Sequence, residues 1–255
     1  MRVLVVSQYF WPENFRINDL CSELAQRGHE VTILTGKPNY PSGTVFNEYI
    51  NNPNKFEYYS GCHIVRVPMI SRGKSQAIKL ILNFFTYAFF ATFFGAWKLR
   101  DKQFDVIFVF EPSPITVGLP AIFIKKFKKI PIVFWVQDLW PETLEAIGVV
   151  KSKWLLNLVG KLVSFIYNGS DLILGQSKPF LHGIRLYSND TTKIKYFPNW
   201  SEGSQSNSVV SPVEEITKHE DFLKILFAGN VGDAQGFSAI LQSVEHIKKN
   251  KIMAD

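Results

Sequence analysis

The chain has 255 residues, a net charge of +6 and 46% hydrophobic residues, enough for one large domain or two small ones. Mean hydropathy is near zero, which excludes a polytopic membrane protein. The mild, scattered basic excess does not argue for nucleic acid but suits an anionic ligand or an anionic membrane surface. Cys21 and Cys62 form neither a disulfide framework nor a metal-ligand spacing, so a reducing cytoplasm is the expected compartment.

Val3 to Val6 is an apolar run too short for a signal peptide and reads as a buried first strand. The loop from Ser7 to Glu13 follows. A helix is predicted over 14–27, with Ile17, Leu20, Cys21 and Leu24 on one face and Gly28 as its C-terminal cap. Val31 to Leu34 is a second strand. This strand-helix-strand unit lacks the G-x-G-x-x-G of dinucleotide binders, which counts against a nicotinamide oxidoreductase. The loop after the second strand, Thr35 to Gly43, is punctuated by Pro and Gly and is therefore shaped. His63 to Val67 is a third strand, with His63 facing solvent or a neighbouring loop.

Ala77 to Trp97 holds one charge, Lys79, and eight aromatic residues in 21 positions. Lys79, Asn83 and Thr86 form a polar stripe at helical spacing. The segment just reaches the length of a spanning helix, but it lies between two strands of one sheet, so crossing is rejected. Two readings remain: a helix packed in the core, or one partly sunk in the interfacial region through Phe89, Phe93 and Trp97. Lys98, Arg100 and Lys102, and later Lys125, Lys126, Lys128 and Lys129, favour the second.

Val106 to Phe110 is a fourth strand, ending at Glu111-Pro112-Ser113-Pro114. A helix from Ile115 to about Phe127 precedes the strand Ile132 to Val136, which delivers Gln137 and Asp138 at its carboxyl end. Pro141 is expected to block an immediate helix. Asp138 either meets a ligand there or caps the next turn. Helices over 152–167 and 178–187 and strands over 171–174 and 193–197 complete the pattern, with Gln176 and Ser177 at another strand end. Residues 201–221 read as a linker. A new strand over 222–228, the glycine-bearing loop Gly229 to Gly236 and a helix from Phe237 to Lys249 open a second domain. The expected organisation is a domain over 1–200, a linker over 201–221 and one strand-helix unit over 222–255. The fold class is α/β, a doubly wound parallel sheet. Polar residues gather at strand carboxyl ends: Glu13, Asn39, Glu111, Gln137 with Asp138, and Gln176 with Ser177.

Several ordered stretches carry a resemblance: Tyr9-Phe10-Trp11-Pro12-Glu13-Asn14-Phe15-Arg16-Ile17-Asn18, Arg27-Gly28-His29-Glu30-Val31-Thr32, Pro38-Asn39-Tyr40-Pro41-Ser42-Gly43, Gln137-Asp138-Leu139-Trp140-Pro141-Glu142, and Ala228-Gly229-Asn230 through Gln235-Gly236. Together they resemble the family 4 glycosyltransferases of bacterial O-antigen, capsule and colanic-acid synthesis, of the fucosamine-transferase type. The resemblance implies a GT-B fold made of two Rossmann-like domains. It implies an acceptor, a saccharide on a polyprenyl diphosphate carrier, held by the first domain at the inner membrane. A nucleotide-sugar is held by the second, transfer proceeds with retention, and no metal or other cofactor is expected. Carried onto this sequence, Asp138 and Glu111 are the candidate catalytic carboxylates. Glu13, Asn14, Arg16, Asn39, Tyr40, Gln137 and Glu142 are candidate acceptor-binding residues. Gly229, Asn230, Gly232 and Gln235 are candidate donor-binding residues. Arg16 either pairs with Glu13 or meets a phosphate.

The sequence departs from the family pattern in three places. Glu13-Asn14-Phe15 stands where many members have Gly-Gly. Asn230 and Gln235 stand where many have Arg and Lys. Gln137 replaces a frequent His, and a neutral amide cannot act as a general base. The family's Glu-rich donor motif falls beyond Asp255. Two expectations follow. The chain is the acceptor-side half of a transferase, cytoplasmic and peripherally attached to the inner membrane. Alternatively it is an inactive carrier-binding module that needs a separately encoded C-terminal half.

Overall fold

The computed structural model describes residues 1–73, 77–146, 148, 150–200, 226–227, 229 and 236–250. Eight strands are present among them: β1 (Arg2–Val6), β2 (Glu30–Thr35), β3 (Tyr58–Tyr59), β4 (Cys62–Arg66), β5 (Val106–Glu111), β6 (Ile132–Val136), β7 (Leu172–Gly175) and β8 (Ile194–Tyr196). They form one sheet in the order β3-β4-β2-β1-β5-β6-β7-β8. Every pairing is parallel except β3 with β4. β1 lies between β2 and β5, so the strand order reverses there, and ligands of such sheets sit outside the carboxyl ends at that point.

The central strands are apolar along their whole length because helices cover both faces. On one face Leu4, Val6, Val109, Phe134 and Val136 join residues of α3 (Ala77–Phe90), α5 (Gly118–Lys128) and α7 (Lys153–Gly169) in the main core. On the other face α1 (Arg16–Gln26) buries Ile17 and Cys21 over β2 and β4. Gly28 ends α1 at φ +82°, a left-handed conformation that favours glycine. The remaining helices are α2 (Asn47–Asn51), α4 (Ala96–Lys98), α6 (Glu142–Ala146), α8 (Lys178–Tyr187) and α9 (Phe237–Lys249).

Three features depart from the sequence expectations. β3 and α2 were not anticipated, because two and five residues are too short to show a period. α6 starts directly after Pro141, since proline is tolerated at the edge of a first helical turn. The aromatic helix is interrupted: α3 passes into a π-helical turn over Ala91–Gly95 before α4. Its buried side carries Asn83, Tyr87, Ala91 and Gly95. The Tyr87 hydroxyl donates to the Leu34 carbonyl at 3.1 Å, and a Cβ on Gly95 would sit 2.8 Å from Leu34 Cδ1. Glycine there lets the helix lie close on β2. The segment is long and apolar enough to cross a membrane by length and composition, yet β4 before it and β5 after it share one sheet. It is packed on that sheet.

The chain divides into two compact units, residues 1–144 with 150–199, and residues 145–149 with 200–255. The predicted linker, 201–221, lies outside the described residues, as does most of the predicted strand over 222–228. Within the second unit the described structure is chiefly α9, with Ile240, Leu241 and Val244 exposed on it.

Candidate functional site

The loops at the carboxyl ends of β1 and β2 are held together by buried charge. The Glu13 side chain is 2% exposed. Its Oε1 accepts the backbone amides of Asn39 and Tyr40, both at 2.7 Å, and its Oε2 accepts that of Phe10 at 3.2 Å. Burial pushes its pKa up to about 7, against the lowering effect of those three amides. Arg66, at the end of β4, donates to the Gly36 carbonyl at 2.7 Å and also to the Trp11 carbonyl. Burial brings its pKa down to about 10. Asn18 Nδ2 donates to the Glu13 carbonyl at 2.7 Å. Glu13 is therefore a brace between two loops and presents no oxygen to solvent.

A second brace comes from α3. Asn83 is fully buried. Its Oδ1 accepts Gln8 Nε2 at 2.7 Å and the Tyr9 hydroxyl at 3.1 Å, and its Nδ2 donates to the Ile70 carbonyl at 2.6 Å. The Asn39 side chain accepts the Arg72 amide at 3.1 Å and donates to the Lys37 carbonyl at 2.8 Å. Asn39 is buried and shapes the loop rather than facing a ligand. The rim above these braces is aromatic and cationic. Tyr9, Phe15 and Tyr40 have ring centroids 5.2 to 5.7 Å apart. The Arg72 guanidinium lies 5.0 Å from the Tyr40 ring centre. Asn14 is exposed beside them. Arg16 pairs with Asp19 at 3.0 Å.

Across the switch point, the β5 and β6 ends carry carboxylates. Glu111 is fully enclosed, and neither oxygen has a hydrogen-bond partner. The Gln137 amide donates to the Glu111 main-chain carbonyl at 3.0 Å. Burial, and then the Asp138 charge, drives the Glu111 carboxyl pKa well above the carboxylate range, and the Gln137 and Asp138 amides oppose that rise. Both Glu111 oxygens are thus shut off from solvent, a position that suits support of the site more than contact with substrate. Asp138 is only half-buried. Its Oδ1 accepts the Thr143 hydroxyl at 2.5 Å. Burial raises its pKa, and hydrogen bonding from Thr143 opposes that rise. Ser113, also beside Asp138, stands at φ +123°, a strained conformation for a residue with a side chain. Glu142 lies near the Tyr167 hydroxyl, and each has a buried oxygen without a partner.

Gln137 belongs to a third brace. Asn199 Nδ2 lies 2.8 Å from Gln137 Oε1 and 2.6 Å from Gln176 Oε1, while Gln176 Nε2 donates to the Gln137 carbonyl at 2.8 Å. This amide trio links the ends of β6, β7 and β8. Gln176, expected among the polar residues at strand ends, stands in this trio.

The structure thus brings Asn14, Tyr40, Gln137 and Asp138 to accessible positions at one edge of the sheet, and buries Glu13, Asn39 and Glu111 beneath it. Four of the residues that matter there were not singled out from sequence as site residues: Arg66, Arg72, Asn83 and Asn199. Only Asn83 carried a signal, its place on the polar stripe of α3. Among the expected donor residues, Gly229 is exposed in the second unit, while Asn230, Gly232 and Gln235 lie outside the described residues. Phe89, Phe93 and Trp97 are 59%, 55% and 57% exposed.

Comparison with known proteins accords with this geometry. The chain is 21% identical to the colanic acid biosynthesis glycosyl transferase WcaI, as that protein of Escherichia coli K12 is named, over 99% of this chain and 64% of that protein. It is 29% identical to a Pseudomonas aeruginosa protein named as a glycosyltransferase, WbjE, over 47% of this chain and 31% of that protein. The chain therefore spans less than two thirds of the length of either relative. Among solved structures, sucrose-phosphate synthase of Thermosynechococcus elongatus matches with a TM-score of 0.51 and 15% identity, over 77% of this chain and 47% of that one. That likeness shows the α/β fold. The glycosyl transferase 4-like domain is matched over residues 14–200, and on that match the chain belongs to the glycosyl transferase 4-like family.

Proposed function

We propose that this chain is the acceptor-side half of a glycosyltransferase that moves a sugar from a nucleotide-sugar to a lipid-linked saccharide of a surface polysaccharide, with retention. The observation that carries the reading is the placement of Asp138. It is a half-buried carboxylate at the carboxyl end of β6, next to the switch point, flanked by a strained Ser113 and fixed by Thr143. Burial raises its pKa, which makes the carboxylate a stronger base toward an acceptor hydroxyl. The half-buried Phe15 and Tyr40 rings, backed by the buried Tyr9, offer faces to a sugar, and Arg72 offers a cation to the carrier diphosphate. The name of one relative, a colanic acid biosynthesis glycosyl transferase, supports a polysaccharide substrate. The nucleotide-sugar belongs to the second unit, and the expectation that no metal takes part belongs to the same proposal.

The acceptor's lipid places the work at a membrane surface, so the chain is proposed to attach peripherally to the cytoplasmic face of the inner membrane. The exposed faces of Phe89, Phe93 and Trp97 support that attachment. The test is transfer in vitro. The chain is incubated with a polyprenyl diphosphate-linked N-acetylhexosamine and a panel of UDP-, GDP- and dTDP-sugars, and the lipid product is weighed by mass spectrometry. One hexose-type mass increment, lost in Asp138→Asn, is the expected result. Binding of the lipid without any increment supports the binding-module reading instead. Neither binding nor transfer sinks both.

A further inference from the structure

We propose that the cleft between α4 and α5 seats one anionic phospholipid, with its chain against the aromatic walls and its phosphate at Arg100 and Lys128. The proposal rests on the reading that the chain works at a membrane surface, and names the site and the lipid class. The cleft has a volume of about 340 Å³, at the lower end of what ligand sites enclose. Its walls are Phe93 and Trp97 on one side and Phe123 and Phe127 on the other. Phe93 meets Phe123 across it at 5.6 Å between centroids, and Phe123 packs on Phe127 along the α5 wall at 4.8 Å.

Two features select the occupant. The first is an apolar approach. Ile81, Phe85, Phe89, Phe93 and Trp97 follow one another at four-residue steps, and all are exposed. Sixteen residues of helix span about 24 Å. Four-residue steps drift around an ordinary α-helix, but the π-helical turn over Ala91–Gly95 takes more residues per revolution and turns the row back. The exposed row therefore runs along one side and ends at the cleft.

The second feature is charge. Lys98, Arg100 and Lys102 stand at the end of α4, and Lys126, Lys128 and Lys129 at the end of α5. Arg100 stacks on Trp97 with 4.7 Å between guanidinium and ring centre. It also pairs with Asp101 at 3.3 Å, both side chains being exposed. Lys128 Nζ donates to the Arg100 and Lys102 carbonyls at 3.1 and 2.6 Å, joining the two helix ends. Two helix C-termini present roughly half a negative charge each. With Asp101 included, about four positive charges stay uncompensated. A free phosphate has no use for the aromatic walls, and a neutral lipid has none for the cations. A single molecule carrying both a chain and a phosphate whose charge no headgroup cation neutralises uses both.

The experiment is native mass spectrometry of the chain released from detergent after incubation with phosphatidylglycerol or phosphatidylcholine. The expected result is one phosphatidylglycerol retained per chain and no phosphatidylcholine. Arg100→Gln should weaken retention about fivefold, the worth of one basic residue at an anionic lipid. Ala96→Phe, which fills the cleft without changing its charge, should abolish it, with circular dichroism confirming the fold. Phe127→Ser, at a 71% exposed position, serves as a second variant safe for folding and should weaken retention as well. No retention, retention indifferent to these variants, or displacement by millimolar inorganic phosphate would overturn the proposal. Vesicle sedimentation separates the two levels. A chain that sediments with vesicles but retains no lipid has the membrane reading without the seat. A chain that does neither has lost both.

Discussion

Replacing Glu13 by Gln separates two opposed effects on one carboxylate. Three amide hydrogen bonds favour its ionised form, and burial disfavours it. In the folded chain burial wins, and the pKa rises from 4.5 to about 7. The folded state therefore holds its proton at a pH where the unfolded chain has released it. Stability must fall as pH rises from about 4.5 to about 7, because the native state binds more protons than the unfolded state across that window. The full cost above pH 7 is about 3 kcal/mol, taken at 1.36 kcal/mol per tenfold change in proton affinity. Gln keeps an oxygen for the Asn39 and Tyr40 amides but turns an NH2 group toward the Phe10 amide, which leaves that donor unpaired at about 1–3 kcal/mol. Glu13→Gln should thus be destabilising by that amount at pH 5 and close to neutral at pH 8. Urea denaturation of both proteins at the two pH values measures the difference, and the other titrating groups cancel between them. If Glu13→Gln costs more at pH 8 than at pH 5, the amides outweigh burial and the reasoning is wrong.

Three further outcomes are expected. Asn83→Leu leaves Gln8 Nε2, the Tyr9 hydroxyl and the Ile70 carbonyl without their partner. It should cost roughly 2–4 kcal/mol, and an unchanged melting temperature would show that α3 does not brace the loops. Glu111→Gln should be neutral or stabilising at pH 8, since the raised pKa makes ionisation of the native carboxyl costly once pH passes the unfolded value; a loss of more than about 2 kcal/mol there would mean that the charged form is the one in use. Phe85→Ser with Phe89→Ser should leave denaturation midpoints within about 0.5 kcal/mol of the parent, as for surface sites, while reducing sedimentation with anionic vesicles. Equal sedimentation would remove the membrane role of that face.

The strands were legible because a parallel sheet covered on both faces demands unbroken apolar runs, and Ile132 to Val136 or Val3 to Val6 can be little else. Gly28 marked the end of α1 because the left-handed turn there favours glycine. The polar residues at strand ends were also legible as a group, since sequence alone places them at one edge. Which way each points was not. Glu13 and Asp138 read alike in the chain, yet one is clasped by three amides from loops 26 and 27 residues away and from its own turn, and the other opens to solvent. Such partners are set by packing across the sheet. The same holds for Arg66 reaching the Gly36 carbonyl, and for Asn199 joining Gln137 across 62 residues. The π-helical turn left no mark either, because a shift of one residue in a uniformly apolar helix is invisible to a periodicity count.

The central claim is that acceptor is held at the carboxyl edge of the sheet, around Asp138 and the Tyr9–Phe15–Tyr40 rim. Hydrogen–deuterium exchange with and without the polyprenyl diphosphate-linked N-acetylhexosamine tests it most directly. The account predicts protection confined to residues 8–16, 37–43, 111–116 and 137–143. Protection at the opposite edge, around residues 27–30 and 129–131, with the carboxyl-edge loops unchanged, would contradict it.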